Sequence, residues 1–221
     1  MKNFFNSLLD LIYRKKCYFC GNSKQSIKMC DECYEKLDFS EFKANRIIDG
    51  VDIYCAGIYT KELQKLIRGL KYHRQKDLAY FQAKFMYEYF SKIFDKKENF
   101  LIIPVPMHKK RFKQRKYNHM DLVADELSKL TGWKVNTKLI QRIKETKPQY
   151  KLNTKEREEN LKNAFKVTKE NYNGEKLLLI DDILTTGSTL TEIIKTLNKE
   201  GITNIVGLTT SCVYGSSVNI Q

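Results

Sequence analysis

Hydrophobic positions along this chain change period several times, and each change predicts an element. Residues 53–59 and 100–105 are short, mainly apolar runs that predict buried strands. Pro104 stands near the end of the second run, where a missing N–H is tolerated. Leu63, Leu66, Ile67 and Leu70 recur at the spacing of an amphipathic helix that ends near Lys71 and Tyr72. Residues 78–94 predict a second helix, crowded with Tyr80, Phe81, Phe85, Tyr87, Tyr89 and Phe90. Rings at that density can stack bases, but packing against a sheet is the expectation here. Asn118 predicts the N-cap of a helix carrying Leu122, Val123, Leu127 and Leu130, closed by Gly132. Leu177, Leu178, Leu179 and Ile180 predict a strand buried on both faces. A helix follows from about Thr189, with Leu190, Ile193, Ile194 and Leu197 on one face and Gly201 at its C′ position. Residues 205–209 predict a last strand. Strands alternating with amphipathic helices predict an α/β fold, a mostly parallel, doubly wound sheet. Between these elements, 38–49 reads as a mixed-charge linker, and 143–159 as either a mobile lid or a surface connection.

Charge adds a partner class. Forty Lys and Arg against 26 Asp and Glu give a formal charge of +14. That balance attracts polyanions and predicts salt-sensitive nucleic-acid binding, although a lysine-rich surface also serves solubility. No run of eighteen apolar residues occurs, so no membrane span is expected. Residues 1–16 lack the pattern of a signal peptide and suit a short amphipathic helix packed on its own domain, with a membrane-surface role as the alternative.

The six cysteines divide into two kinds. Cys17, Cys20, Cys30 and Cys33 form two C-x₂-C pairs, a spacing that places two sulfurs on each of two tight knuckles around one Zn²⁺. Two disulfides are the competing reading; without a secretion signal, zinc is favoured. Four thiolates leave no open position, so the role is structural. Four thiolate charges against two on the metal lower the net charge to about +12. Cys55 and Cys212 lie in apolar runs and are expected to be buried and inert.

The densest chemistry sits in residues 177–189. Asp181 and Asp182 close the aliphatic strand, and Thr185, Thr186, Gly187, Ser188 and Thr189 lead into the next helix. Ligands of open α/β sheets bind outside the carboxyl ends of their strands. Backbone N–H groups at a helix N-terminus, with hydroxyls beside them, suit a phosphate, and Gly187 lets backbone approach it. Two carboxylates repel a phosphate but accept hydrogen bonds from a sugar diol or act through Mg²⁺. The pattern thus asks for one ligand with a phosphate at one end and a diol at the other. An acidic strand end before a Thr/Ser-capped helix is the plain alternative. A second cluster, 108–116, carries the densest positive charge and follows the strand 100–105, so it falls on the same rim of the sheet.

Residues 177–189 closely resemble the phosphoribosyl-pyrophosphate (PRPP) loop of type I phosphoribosyltransferases: four apolar residues, Asp-Asp, an aliphatic, any residue, then Thr-Thr-Gly-x-Thr. The resemblance implies that Asp181 and Asp182 hold the ribose hydroxyls and serve as the catalytic carboxylates, that 185–189 cradle the 5′-phosphate, and that Mg²⁺ enters with PRPP. Arg111 and Arg115 are the candidate partners of the pyrophosphate. Arg115, Lys116, Tyr117, Asn118 and His119 resemble the Arg-Gly-Phe-Asn-Gln motif of the ComF branch of that superfamily, with Lys, Tyr and His at the second, third and fifth positions. Arg142, Gln149, Leu152, Arg157, Asn160, Ala164 and Phe165 fit the pattern that follows, and the four-cysteine module is typical of the branch. A zinc-ribbon module over 1–37 and a phosphoribosyltransferase-like domain over 50–221 are therefore expected. The resemblance implies a cytoplasmic protein of DNA uptake in natural transformation, handling single-stranded DNA beside a DNA-uptake helicase. Lys15, Lys16, Tyr18, Phe19, Lys24 and Lys28 of the ribbon are candidates for contacting it. The alternatives are a metabolic phosphoribosyltransferase with an unidentified acceptor, and a non-catalytic adaptor that senses PRPP.

Overall fold

The computed structural model describes residues 16–23, 27–43, 45–95, 97–145 and 154–213. The chain divides into two compact units, Met1–Asp38 and Phe39–Gln221. The first contains the four cysteines and a short helix α1 (Asp31–Tyr34); the expected helix over 1–16 lies outside the described residues, apart from Lys16.

In the second unit the chain runs β1 (Arg46–Ile48), β2 (Val51–Ile58), α2 (Lys61–Tyr72), α3 (Leu78–Phe90) and β3 (Leu101–Pro104). It continues through α4 (Lys109–Arg115), α5 (His119–Thr131), β4 (Ile140–Arg142), α6 (Thr154–Leu161) and β5 (Phe165–Val167). It closes with β6 (Leu177–Leu184), α7 (Ser188–Lys199) and β7 (Ile205–Cys212). Five strands form one sheet in the order β1-β2-β7-β6-β3, parallel except for the β1–β2 hairpin; β4 and β5 make a separate antiparallel ribbon. Leu177 and Leu179 pack with Leu190, Ile193, Ile194 and Leu197 of α7 on one face. On the other face α3 and α5 pack together and against the strands. Burial on both faces explains why Leu177–Ile180 show no polar alternation. The expected doubly wound α/β fold is the fold of this unit.

Local outcomes differ where tertiary pairing decides. The stretch 38–49 is not a plain linker: Arg46–Ile48 pairs with Val51–Ile53 through Asp49 (φ 48°) and Gly50 (φ 79°). Two left-handed residues make the tight turn that matches strand twist, and Asp-Gly is its sequence signature. The last strand extends to Cys212 because Ser211 and Cys212, like the three residues before Thr210, pair with β2 and β6. The aromatic helix buries Phe85, Tyr89 and Phe90, as packing requires. Cys55 is fully buried and its thiol is pushed far up by contact with Cys212 and by burial. Cys212 is half-buried where a buried residue was expected, and contact with Cys55 brings its thiol down to about 7.

Candidate functional site

The carboxyl end of β6 delivers Asp181 and Asp182 to a cleft of about 690 Å³, within the size range of small-molecule sites. Beyond the strand, Gly187 is the N-cap of α7 with φ 81°. A Cβ at that position would strain the backbone and stand 2.7 Å from Arg46 Nη1. Gly187 also has no side chain to cap the helix, and the helix end carries the partial positive charge that suits an anion. Asp181, Asp182, Thr185, Gly187, Ser188 and Thr189 all line the cleft. Thr186 does not: its hydroxyl bonds Ser188 Oγ at 2.8 Å, and its carbonyl accepts from Arg46 Nη1 at 2.6 Å. Thr186 therefore shapes the loop from behind.

The segment from Arg115 to His119 assembles the facing wall, one task per residue. Arg115 lies over the Tyr72 ring, 5.5 Å from its centroid, and places Nη1 3.1 Å from His119 Nδ1. Lys116 ends α4 in the left-handed region at φ 68°, so the glycine of the related motif is explained by backbone conformation. Lys116→Gly should stabilise the protein by up to about 1 kcal/mol, read as a higher denaturant midpoint at unchanged slope; a lower midpoint would show that Lys116 makes a compensating contact. Tyr117 is buried and donates its hydroxyl to the Leu70 carbonyl, anchoring the end of α2. Asn118 accepts from Met120 N–H as N-cap and donates to Val105 O at 3.1 Å, joining α5 to the end of β3. His119 reaches Asp182 Oδ2 through Nε2 at 2.5 Å. A guanidinium has no acceptor, so Nδ1 accepts from Arg115 and Nε2 carries the proton donated to Asp182. A glutamine amide at 119 would donate in the same way.

These contacts make the two carboxylates unequal. Asp182 is buried and holds both His119 and the Lys71 ammonium. Burial alone would raise its pKa, but Lys71 and then His119 outweigh burial and hold it well below the carboxylate range. Burial lowers His119, with Lys71 and Arg115 adding to the effect against Asp182. The imidazole is therefore neutral. Asp181 accepts the Asp182 N–H at 2.9 Å and is pushed up to about 7, first by burial and then by the Asp182 charge. One carboxylate is compensated and fixed, while the other is poised to ionise near neutrality.

Arg111 and Arg115 stand in the cleft wall as expected, joined by Lys71, Arg74, Arg142 and Arg157. Burial and the neighbouring Arg111 lower Arg142 to about 10. Lys71 had no sequence signal beyond closing an apolar helical stripe; it enters because α2 ends over the same rim. Arg142 and Arg157 come from the two flanks of the region read as lid or connection, of which 146–153 lie outside the described residues. Six cations around two carboxylates and a helix N-terminus suit a polyanion that also carries hydroxyls.

In the Met1–Asp38 unit, the ligand sulfurs of Cys17, Cys20, Cys30 and Cys33 all lie within 4.8 Å of one another. Cys20 and Cys30 sulfurs are 3.6 Å apart, close to the roughly 3.8 Å edge of a tetrahedron with metal–sulfur bonds of about 2.3 Å. The N–H groups of Phe19 and Cys30 point at Cys17 Sγ from 3.4 Å. This arrangement fits one metal ion. Of the other ribbon candidates, Lys15 and Lys24 lie outside the described residues. Among the described residues, no helix is long and apolar enough to cross a membrane.

Comparison with known proteins agrees with this geometry. Residues 121–217 match the phosphoribosyl transferase domain model. The chain is 30% identical to competence protein F of Haemophilus influenzae, over 93% of this chain and 96% of that protein. It is 25% identical to DNA utilization protein YhgH of Salmonella typhi, over 86% of each. It is likewise 25% identical to YhgH of Escherichia coli K12, over 84% of this chain and 85% of that one.

Proposed function

We propose, for a chain that belongs to the competence protein F family, that it binds PRPP in the cleft at the end of β6 and handles single-stranded DNA during DNA uptake. One observation carries the reading: a single cleft is lined by Thr185, Gly187, Ser188 and Thr189, a carboxylate pair and six cations. The 5′-phosphate binds at the N-terminus of α7, and Asp181 accepts a ribose hydroxyl. The pyrophosphate meets the arginines and Lys71. Mg²⁺ arrives with the diphosphate, and Asp181 is the part-exposed carboxylate that would share it; the ion would neutralise charge on the leaving group. Lys71 and His119 hold Asp182 in place, so Asp182 orients the site before any ligand arrives.

The reaction this arrangement suits is displacement of pyrophosphate at the anomeric carbon by a nucleophile. Asp181 would favour the developing positive charge, and the arginines the departing diphosphate. Calorimetry with PRPP and Mg²⁺ tests the binding, and pyrophosphate release with added nucleobases or oligonucleotides separates transferase from adaptor. No detectable PRPP binding would overturn the reading; binding without release would assign the adaptor role.

In the smaller unit the four thiolates are proposed to hold zinc, whose preference for tetrahedral sulfur matches the cluster. Metal analysis of protein purified under reducing conditions should find about one zinc per chain, and a metal-free, folded preparation would contradict it. The cytoplasm and a DNA-uptake helicase remain the proposed location and protein partner.

A further inference from the structure

The rim of the cleft presents something that PRPP does not use. Tyr72 lines the cleft yet is 62% exposed, and Phe112 of α4 is 47% exposed. A singly exposed ring is ordinary on a protein surface; the cations beside these two set them apart. Each sits among cations. Arg115 lies against Tyr72. Phe112 shares the seven-residue helix α4 with Lys109, Lys110, Arg111, Lys113 and Arg115.

The charge has a direction. Arg111 and Arg115 belong to the cleft wall, whereas Lys109, Lys113 and Lys116 are exposed and lie outside the lining. Lys110 is paired with Glu145 at 2.7 Å. A mononucleotide would be satisfied inside the cleft and would leave those outer lysines and Phe112 unused. A strand of phosphates running outward along α4 would use both. Exposed aromatic faces beside a cationic track are the elements that hold single strands, because every base offers a π-face while the backbone supplies the charge. A duplex hides those faces.

We propose that Tyr72, Phe112 and the outer lysines of α4 form the single-stranded nucleic-acid surface, with a base stacked on Tyr72 at the mouth of the cleft. The proposal rests on the nucleic-acid part of the function above and is independent of its PRPP part. It places the strand on the larger unit, and not on Tyr18 and Phe19 of the cysteine unit.

Anisotropy titrations of labelled oligo(dT) with the full chain, across a salt series, test it. Tyr72→Ala with Phe112→Ala should weaken binding at least about 30-fold at each salt concentration, leaving the salt slope unchanged. Tyr72→Phe should bind as wild type does. Lys109→Ala with Lys113→Ala, both surface changes, should instead flatten the slope by about 1.4, at about 0.7 for each single-strand phosphate contact. Duplex DNA and dTMP should bind more weakly than oligo(dT). Undiminished binding by the aromatic variant, or loss confined to Tyr18→Ala with Phe19→Ala, would overturn the surface. If wild-type protein bound no oligo(dT), the nucleic-acid function would fall with it. PRPP calorimetry on the wild-type protein reads the other half of the function separately, and far-UV circular dichroism reports whether each variant is folded.

Discussion

Lys71→Ala is expected to lower the unfolding free energy of the larger unit by about 3 kcal/mol, the low end for removing one partner of a buried ion pair. Asp182 is only 6% exposed, so water cannot replace the lost ammonium. His119 remains as a donor but is a neutral imidazole, which keeps the loss at the low end of that range. Urea unfolding followed through Trp133, the sole tryptophan, reports on this unit, since its ring packs against Phe90 and Phe100. His119→Gln, which keeps a donor to Asp182, should lose less than His119→Ala. The pH dependence has a definite sign. Asp182 is held below its unfolded pKa, so its contribution is complete above the ordinary carboxylate range and fades as pH falls through the lower folded value. The Lys71→Ala deficit should therefore be constant from about pH 5 to 6 and widen above about 7, where Asp181, whose ionisation Lys71 also favours, loses its proton. A deficit under about 1 kcal/mol, or one that disappears at pH 6, would mean that the pair is not the anchor described.

Replacing both Asp181 and Asp182 by Asn should weaken PRPP binding at least about tenfold, since the charge-assisted hydrogen bond to Asp181 contributes about 1.5–3 kcal/mol and Asp182 no longer orients the site. Normal affinity by calorimetry in a folded double variant would remove the site assignment. Asp181 alone adds a second signature. With a pKa raised to about 7, it makes its stronger, charge-assisted hydrogen bond to a sugar hydroxyl only once ionised. Affinity should then rise from about pH 5 to 7 and level above, a rise that Asp181→Asn abolishes. The stability effect runs the other way. The folded state holds this proton more tightly than the unfolded chain, so stability falls as pH rises from about 4 towards 7. Asp181→Asn should accordingly raise the melting temperature at pH 8 and leave it unchanged at pH 4. A carboxylate that destabilises the free protein while serving a ligand is the usual mark of a binding site.

Much of the fold was legible because it depends on short-range periodicity. The aliphatic run before Asp181, the stripes of α2 and α7, and the Asn118 cap each declare themselves within about a dozen residues. The hairpin at Asp49 and Gly50 was equally local, but mixed charge around it masked a three-residue strand. The site was legible where its residues cluster in the chain, in the loop 177–189 and the basic run 108–116. Arg111 and Arg115 belong to a dense basic cluster, whereas Lys71 closes an apolar stripe and Arg46 lies in the apparent linker.

By itself, the sequence determined the strand–loop–helix of residues 177–189 and the paired cysteines, because contiguous residues carry all of that chemistry. Only the tertiary structure decided that Asp182 is a fixed, compensated carboxylate and Asp181 a titratable one. The difference comes from Lys71, which pairs with Asp182 in space yet lies more than a hundred positions earlier in the chain. Burial sets the energy of a charge through whatever stands opposite it, and no local pattern records what folding brings there.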